Sequence, residues 1–290
     1  MIRIAITIGD PLGIGPEIVA KALPHYSNAP VQFKVYGEQG KALDARSAGK
    51  ASIEFLEAAM QDYSTGQFDA LVTAPISKEH VSLAGFGFPG HTEYLASKTN
   101  TADFLMMMAA TNLKVALVTI HEPLSKVPSL LTQAKIIKTI QLTHAGLKKD
   151  FNIEKPRLAV CGLNPHAGEK GKFGREEIEI IAPAIEICQA QGVACVGPKV
   201  PDAIFHEAVD GKYDAVVCMY HDQGLIPFKL LHFKDGVNVT LGLPLVRTSP
   251  DHGTAFDIAG QGIADPSSMI AAIEMAIEIV KNRDLLSLRG

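Results

Sequence analysis

Short runs of apolar, mainly β-branched residues alternate along this chain with longer amphipathic stretches. The strand-like runs are Ile2–Ile8, Val31–Tyr36, Ala70–Thr73, Val115–Ile120, Leu158–Cys161, Ala194–Val196, Ala215–Met219 and Val237–Leu241. Apolar residues recur at helical spacing in Ile53–Met60, Ala134–Leu147, Glu176–Gln191 and Ser268–Lys281. Apolar strands that alternate with helices are typical of a mostly parallel sheet covered on both faces. The sequence therefore predicts an α/β fold.

Composition argues against several classes of partner and location. The 290 residues carry 27 Lys and Arg against 31 Asp and Glu, and no basic tract is present that could follow a phosphate backbone. We therefore expect no nucleic-acid partner. No apolar run approaches the length of a membrane span, and the first residues lack a signal-peptide core. We expect a cytoplasmic protein without a membrane partner.

The cysteines support the same location. Cys161 and Cys218 fall inside strand-like runs, while Cys188 and Cys195 are too far apart for a C-x-x-C pair. All four are therefore predicted to be reduced and mostly buried.

Three histidines, His121, His166 and His221, each follow a strand-like run. The ligand crevice of a parallel α/β sheet lies outside the carboxyl ends of its strands, so residues placed there can converge. Three imidazoles with open positions are the ligand set of a catalytic divalent metal. A single histidine would more often be a buried, hydrogen-bonded residue, but the repeated placement favours a metal site. Zinc is favoured, and cobalt, nickel, manganese and magnesium remain open.

The glycine-rich segment Ile8–Ile18 follows the first strand and opens a helix. It matches neither the dinucleotide fingerprint G-x-G-x-x-G nor a Walker sequence. Two interpretations stay open, a tight strand-to-helix turn with Pro16 at the first helical position and a contact with a ligand. If the protein uses NAD, it does not bind it in the Rossmann manner.

A second glycine-rich segment, Thr248–Ile270, resembles the nucleotide loop of the isopropylmalate and isocitrate dehydrogenase superfamily. The corresponding cofactor-binding residues are His252, Gly253, Thr254, Ala255, Asp257 and Asp265. Glycine permits close backbone approach to a flat base, and the Asp257 carboxylate can accept both ribose hydroxyls. We therefore expect NAD as cofactor, the alternative being a glycine-rich turn ahead of the last helix.

Motifs along the whole chain resemble the 4-hydroxythreonine-4-phosphate dehydrogenase family. They are GDPLGIGPE, PGHTEYLA, TIHEPL, GLNPHAGE, MYHDQGL, GVNVTLGLPLVRTS and DHGTAFDIAG. The resemblance implies a three-layer fold of the isocitrate/isopropylmalate dehydrogenase type, with two lobes and an active-site cleft between them. Residues 1–90 and 245–290 would form a cofactor-side lobe with both termini, and residues 91–244 a lobe for metal, substrate and dimerisation.

The resemblance also assigns roles to individual residues. The metal ligands fall on the three histidines already singled out. The substrate-binding residues fall on His91, Thr92, Lys229, Asn238 and Arg247. Asp202 and Asp222 are expected to handle protons or to orient a ligand. The family shares its metal between subunits, which implies a homodimer.

The activity implied is a metal-dependent oxidation of 4-phosphohydroxy-L-threonine by NAD. Decarboxylation would then give 3-amino-2-oxopropyl phosphate for vitamin B6 synthesis. The chain departs from the family in a shortened segment between Val35 and Ile53 and in Leu12, where Ala is more usual. Substrate preference therefore stays open, and a paralogous dehydrogenase of phospho-threonate or phospho-erythronate is one alternative. Alternatives from other classes are a zinc-dependent aldolase or hydrolase and a metal-dependent sugar-phosphate sensor without turnover.

Overall fold

The computed structural model describes residues 1–38 and 44–288. Strands and helices alternate, which confirms the predicted α/β class. The strands are β1 (Ile2–Thr7), β2 (Val31–Tyr36), β3 (Ala70–Thr73), β4 (Leu105–Ala109), β5 (Lys114–Leu117), β6 (Leu158–Cys161), β7 (Cys195–Lys199), β8 (Ala215–Cys218), β9 (Val237–Leu241) and β10 (Val246–Pro250). The sequence did not predict β4 or β10.

The α-helices are α1 (Gly15–Ala22), α2 (Ala45–Ser64), α3 (Lys78–Leu83), α4 (His91–Lys98), α5 (Val127–Leu130), α6 (Gln133–Lys149), α7 (Ala182–Ala190), α8 (Pro201–Val209), α9 (His221–Leu231) and α10 (Ser267–Ser287). The helix predicted over Ile53–Met60 is longer, because Asp44 and Ser47 form a capping box that starts α2 earlier. Residues 39–43 of the shortened segment lie outside the described residues. None of the helices that the structure describes has both the length and the apolar character to cross a membrane.

The chain divides into two compact units. The first is Met1–Ala102 with Lys234–Leu285, and the second is Asp103–Phe233 with Leu286–Gly290. These bounds differ from the two lobes expected from sequence, so that His91, Thr92 and Asn238 belong to the first unit. The functional division into a cofactor lobe and a metal lobe stays a prediction.

In the first unit the strand order is β2-β1-β3-β10-β9, and in the second it is β4-β5-β8-β6-β7. Pairing is parallel except that β9 runs antiparallel to β10 and β4 antiparallel to β5. All residues of β6 and β8 are buried, as expected of strands covered on both faces.

Helix α9 lies very close to the sheet of the second unit. A Cβ on Gly224 would be 2.4 Å from Cγ1 of Val115 on β5, so only glycine fits at this crossing. Phe228, one turn later, is fully buried against the same core. This packing fixes the start of α9, where His221 lies.

Candidate active site

His121 and His221 lie together at the carboxyl ends of two neighbouring strands of the second unit. β5 and β8 are parallel, and their pairing continues beyond the strands through the bonds from Val118 N to Cys218 O and from Thr119 N to Met219 O. The imidazole rings of His121 and His221 lie just beyond these paired residues, and their centroids are 5.6 Å apart. They line a cavity of about 580 Å³.

The carboxylate of Asp222 orients the His221 ring. Its Oδ1 lies 2.7 Å from Nδ1 of His221, which leaves Nε2 of that ring for another partner. A carboxylate on one ring nitrogen is the usual arrangement for a histidine whose other nitrogen binds a metal. Asp222 is thus placed to orient the ring, and its role in the reaction stays a prediction.

His166 lies in the same unit, in an unusual turn after β6. The five residues from His166 to Lys170 all have φ between 42° and 78°, which is one turn of left-handed helix. The His166 ring lies 6.3 Å from the Phe173 ring. Among residues 1–38 and 44–288, no three His, Cys, Asp or Glu side chains are arranged to hold a metal ion. The structure therefore brings His121 and His221 together but does not add His166 to them within one chain.

The second unit also contains Lys229 and Asp202. Lys229 is partly buried on α9, two turns after His221. Asp202 is exposed in the first turn of α8, where a carboxylate complements the helix dipole. Nothing in its surroundings distinguishes it as a proton-transfer group.

Arg247 is a buried cation on β10 of the first unit, with 4% of its surface exposed. Its guanidinium donates to the hydroxyls of Thr73 and Thr240, and no carboxylate among the described residues pairs with it. Burial lowers the pKa of Arg247 to about 10. The charge of Glu93 opposes this shift, but the hydrogen bonds of the guanidinium go to hydroxyls, so it is suited to bind an anionic ligand.

The first unit also contains three other predicted substrate-binding residues, His91, Thr92 and Asn238. His91 begins α4, and burial together with the charge of Arg247 lowers its pKa to about 3, so the ring is neutral. Thr92 follows it, partly buried. The side-chain oxygen Oδ1 of Asn238, on β9, is buried and has no hydrogen-bond partner among the described residues. Buried polar atoms without partners are rare in folded proteins, so this oxygen is suited to receive a ligand donor.

The predicted nucleotide loop lies between β10 and α10. The glycine-rich segment after β1 supports it, because Ile14 N donates to Thr254 O at 2.9 Å. A Cβ on Gly13 would lie 2.9 Å from the same oxygen. The segment is thus a tight turn, as one of the two interpretations held, but Pro16 is the second residue of α1 and not the first, because the helix begins at Gly15.

Within this loop the predicted cofactor residues differ in their surroundings. Nε2 of His252 is buried and has no partner within the part of the chain that the structure describes. Ala255 has a φ of 44°, and Asp257 is exposed. Asp265 accepts bonds from Ser267 at the start of α10 and pairs with Lys234 at 3.3 Å. Its carboxylate is therefore occupied by contacts that start the helix. Gly253 is exposed, and no atom lies near the position of an added Cβ.

Sequence reasoning missed a pair beside this loop, a buried aspartate and a partly buried histidine. Asp10 is fully buried, and its Oδ2 lies 2.7 Å from Nδ1 of His80. The His80 ring stacks on Phe256 at 5.0 Å. The glycine-rich segment placed Asp10 near a turn, but nothing in the sequence linked it to a histidine on α3.

Comparison with known families gives a direct match. Residues 20–276 match the family model described as pyridoxal phosphate biosynthetic protein PdxA. The chain is 47% identical to 4-hydroxythreonine-4-phosphate dehydrogenase of Desulforapulum autotrophicum over 319 aligned positions, covering 94% of each. It is 45% identical to the enzyme of the same name from Caulobacter vibrioides, covering 97% of this chain and 98% of the relative.

Solved structures agree with these matches. The 4-hydroxythreonine-4-phosphate dehydrogenase of Klebsiella pneumoniae superposes with a TM-score of 0.86 at 39% identity, over 97% of this chain and 100% of its own. Isocitrate dehydrogenase of Methylococcus capsulatus, at 16% identity and a TM-score of 0.57 over 98% of this chain and 87% of its own, shares the fold. The expected isocitrate dehydrogenase-like fold is thereby confirmed. The chain belongs to the family of pyridoxal phosphate biosynthetic protein PdxA.

Proposed function

We propose that this protein is an NAD-dependent, metal-dependent 4-hydroxythreonine-4-phosphate dehydrogenase. It oxidises 4-phosphohydroxy-L-threonine and releases carbon dioxide to give 3-amino-2-oxopropyl phosphate in pyridoxal 5'-phosphate synthesis. Relatives with this name match nearly the whole chain at up to 47% identity. The structural observation that carries the proposal is the buried Arg247, a fixed cation whose hydrogen bonds within the described residues go to two threonine hydroxyls and not to a carboxylate.

The anionic ends of this substrate need fixed cations and neutral donors. Arg247 supplies planar N–H groups for a carboxylate or a phosphate, and Lys229 supplies a second cation. The neutral His91 ring and Thr92 add uncharged hydrogen-bonding groups, and Asn238 adds an acceptor for the amino group.

The histidines fit a divalent cation, with zinc favoured and cobalt, manganese and magnesium as alternatives. His121, His166 and His221 would hold it, and Asp222 already fixes the His221 ring with Nε2 free for a ligand. When bound, such a cation lowers the pKa of a substrate hydroxyl and stabilises negative charge on its oxygen. Asp222 keeps the ring oriented, and Asp202 is the remaining candidate for proton transfer.

NAD would bind at the loop 252–257. Exposed Gly253 leaves room for close approach, His252 and Thr254 offer polar groups, and the exposed Asp257 carboxylate can accept the ribose hydroxyls. Ala255 contributes its left-handed backbone to the shape of the loop. Asp265 would act indirectly, by starting α10.

A homodimer would complete the metal site. One face of α9 and the residues after it exposes Ile226, Leu230 and Phe233 at 66%, 83% and 77%. An apolar face of this kind usually marks an interaction surface, and a second copy of the chain would cover it. A third imidazole from that copy would supply the ligand that one chain does not bring to the other two.

The proposed location is the cytoplasm. All four cysteines are buried and unpaired, which is usual where thiols are kept reduced.

A substrate panel tests the proposed activity. The purified protein is supplied with NAD, a divalent cation and one phosphorylated hydroxy acid at a time, and reduced nicotinamide is followed by absorbance. We expect selective turnover of 4-phosphohydroxy-L-threonine over phospho-threonate and phospho-erythronate. Preference for either sugar-acid phosphate would assign the paralogous activity. Cleavage or hydrolysis without NAD would assign an aldolase or hydrolase, and binding without turnover would indicate a sensor.

A further inference from the structure

Buried polar side chains tie together the strand ends that carry the three histidines. Thr119, two residues before His121, donates its hydroxyl to Met219 O at 2.7 Å. Met219 is itself two residues before His221. The contact therefore fixes the backbone leading to one histidine against the backbone leading to another.

Gln223 continues this chain of contacts to the strand that precedes His166. Its Oε1 accepts from Met219 N at 2.7 Å, and its Nε2 donates to Gly162 O at 2.7 Å. Gln223 is buried in the first turn of α9, two residues after His221. One amide thus holds the ends of β8 and β6 and the start of α9 at the same time.

Glu177 binds the two residues that follow Gly162 in the chain. Its Oε1 accepts from the backbone N–H groups of Leu163 and Asn164 at 2.8 and 2.7 Å, and its Oε2 accepts from Nδ2 of Asn164 at 3.0 Å. Only 3% of Glu177 is exposed. In the described part of the chain its partners are these amide groups and not a Lys or Arg side chain.

The segment that Glu177 holds has a strained backbone. Left-handed backbone is unfavourable for residues other than glycine, and the turn at His166 contains four such residues together with Gly168. A Cβ on Gly168 would lie 2.6 Å from Oε2 of Glu177, so the carboxylate also packs against the turn. Strained segments persist only when their surroundings hold them in place.

We propose that Gln223 and Glu177 are positioning residues for the metal histidines: Gln223 sets the start of α9 at His221, and Glu177 holds the turn that presents His166. The proposal rests on the proposed metal-dependent function. Neither residue would touch the cation. Outer contacts of this kind typically change metal affinity by about 10–100-fold when removed.

Two isosteric substitutions isolate these contacts. Gln223→Glu keeps the acceptor for Met219 N but places an oxygen against Gly162 O. In the wild type both side-chain oxygens of Glu177 accept hydrogen bonds. Glu177→Gln replaces one of them with an NH2 group, which cannot accept. The matched controls are Gln189→Glu, whose Nε2 donates to Cys195 O in the same unit, and Glu179→Gln, which loses its ion pair with Arg175.

The first readout is zinc and cobalt affinity of the folded dimer, measured by competition with a chelator. We expect about 10–100-fold weaker binding in Gln223→Glu and Glu177→Gln and wild-type affinity in both controls. A purely structural role would lower the melting temperature and leave the affinity of the folded protein unchanged. That result would overturn the proposal.

The second readout is amide hydrogen exchange of residues 162–170 in metal-free protein, which needs no activity. We expect faster exchange in Glu177→Gln and wild-type exchange in Glu179→Gln. Equal exchange in both variants would contradict the role of Glu177. Failure of the proposed function is separate, because it would appear as absence of metal binding by the wild-type protein.

Discussion

The guanidinium of Arg247 donates from both Nε and Nη2 to the single hydroxyl oxygen of Thr73, at 3.2 and 2.8 Å. Both residues are buried. This contact occupies one edge of the guanidinium and fixes its plane, while Thr240 accepts from Nη1 at 3.2 Å. The remaining N–H groups of Nη1 and Nη2 are left to face a ligand.

Thr73→Val should weaken substrate binding while Arg247 is still present. Valine has the same shape but leaves two buried donors without an acceptor, which costs about 1–3 kcal/mol, and the guanidinium loses its fixed plane. We expect a rise of about tenfold in KM for the phosphorylated substrate, with a smaller change in kcat. Thr73→Ser keeps the hydroxyl and should stay close to wild type. Equal KM values in the valine and serine variants would contradict this role.

The lowered pKa of His91 should decrease the free energy of unfolding at acid pH. Its pKa is lowered to about 3 in the folded state, against about 6.5 in an unfolded chain. Between these values the unfolded chain binds a proton that the folded protein does not, so stability falls as the pH decreases through this window. Above pH of about 6.5 the ring contributes no pH dependence.

The urea midpoint at several pH values between neutral and acid tests this expectation. The decrease in midpoint should be larger for the wild type than for His91→Asn, whose side chain does not titrate. Parallel curves for the two proteins would show that His91 does not carry the effect.

How far the site was predictable depends on the kind of strand that precedes each residue. β5, β6 and β8 are mostly apolar and each contains Val, so their ends, and with them His121, His166 and His221, could be located from sequence. β10 reads Val-Arg-Thr-Ser-Pro and lies buried. Because its side chains are mostly polar, the sequence did not indicate a strand here. One of those side chains is Arg247, which contacts Thr73.

Two further features could not be predicted from local patterns. β4 reads Leu-Met-Met-Met-Ala, and methionine lacks the β-branching that marks a strand. The left-handed turn at His166 opposes the intrinsic preference of every residue in it except Gly168. It is held by Glu177, which is distant enough in sequence that no motif joins the two.

NAD should be preferred over NADP, with Asp257 as the discriminating residue. A carboxylate that accepts the ribose hydroxyls would face the extra phosphate of NADP, and no Lys or Arg lies between Asp251 and Asp265 to offset the repulsion. Asp257→Ser should lower kcat/KM for NAD and narrow the ratio between the two cofactors. Asp210→Asn, an exposed aspartate of the other unit, serves as control. Equal kcat/KM for NAD and NADP in the wild type would contradict the assignment.

A metal site shared between two chains predicts a pattern of complementation. His121→Ala, His166→Ala and His221→Ala should each be inactive, since each removes a ligand, and should remain folded dimers. When two variants are mixed, a hybrid dimer has one intact site only if the two substituted histidines belong to different chains of the same site. His121 and His221 lie together in one chain, and His166 would come from the other. We therefore expect activity from two of the three pairings.

Proof of subunit exchange, with differently tagged copies, is the control for the mixing experiment. His206→Ala, which changes an exposed histidine on α8, should keep full activity alone. Failure of all three pairings despite exchange would show that each chain holds its metal by itself.

The most direct test of the account is turnover of 4-phosphohydroxy-L-threonine with NAD before and after metal removal. We expect dialysis against a chelator to abolish both nicotinamide reduction and carbon dioxide release, and stoichiometric zinc or another divalent cation to restore them together in wild type. The same cation should restore neither in His121→Ala, His166→Ala or His221→Ala. Undiminished turnover by fully metal-free wild-type protein would contradict the central claim.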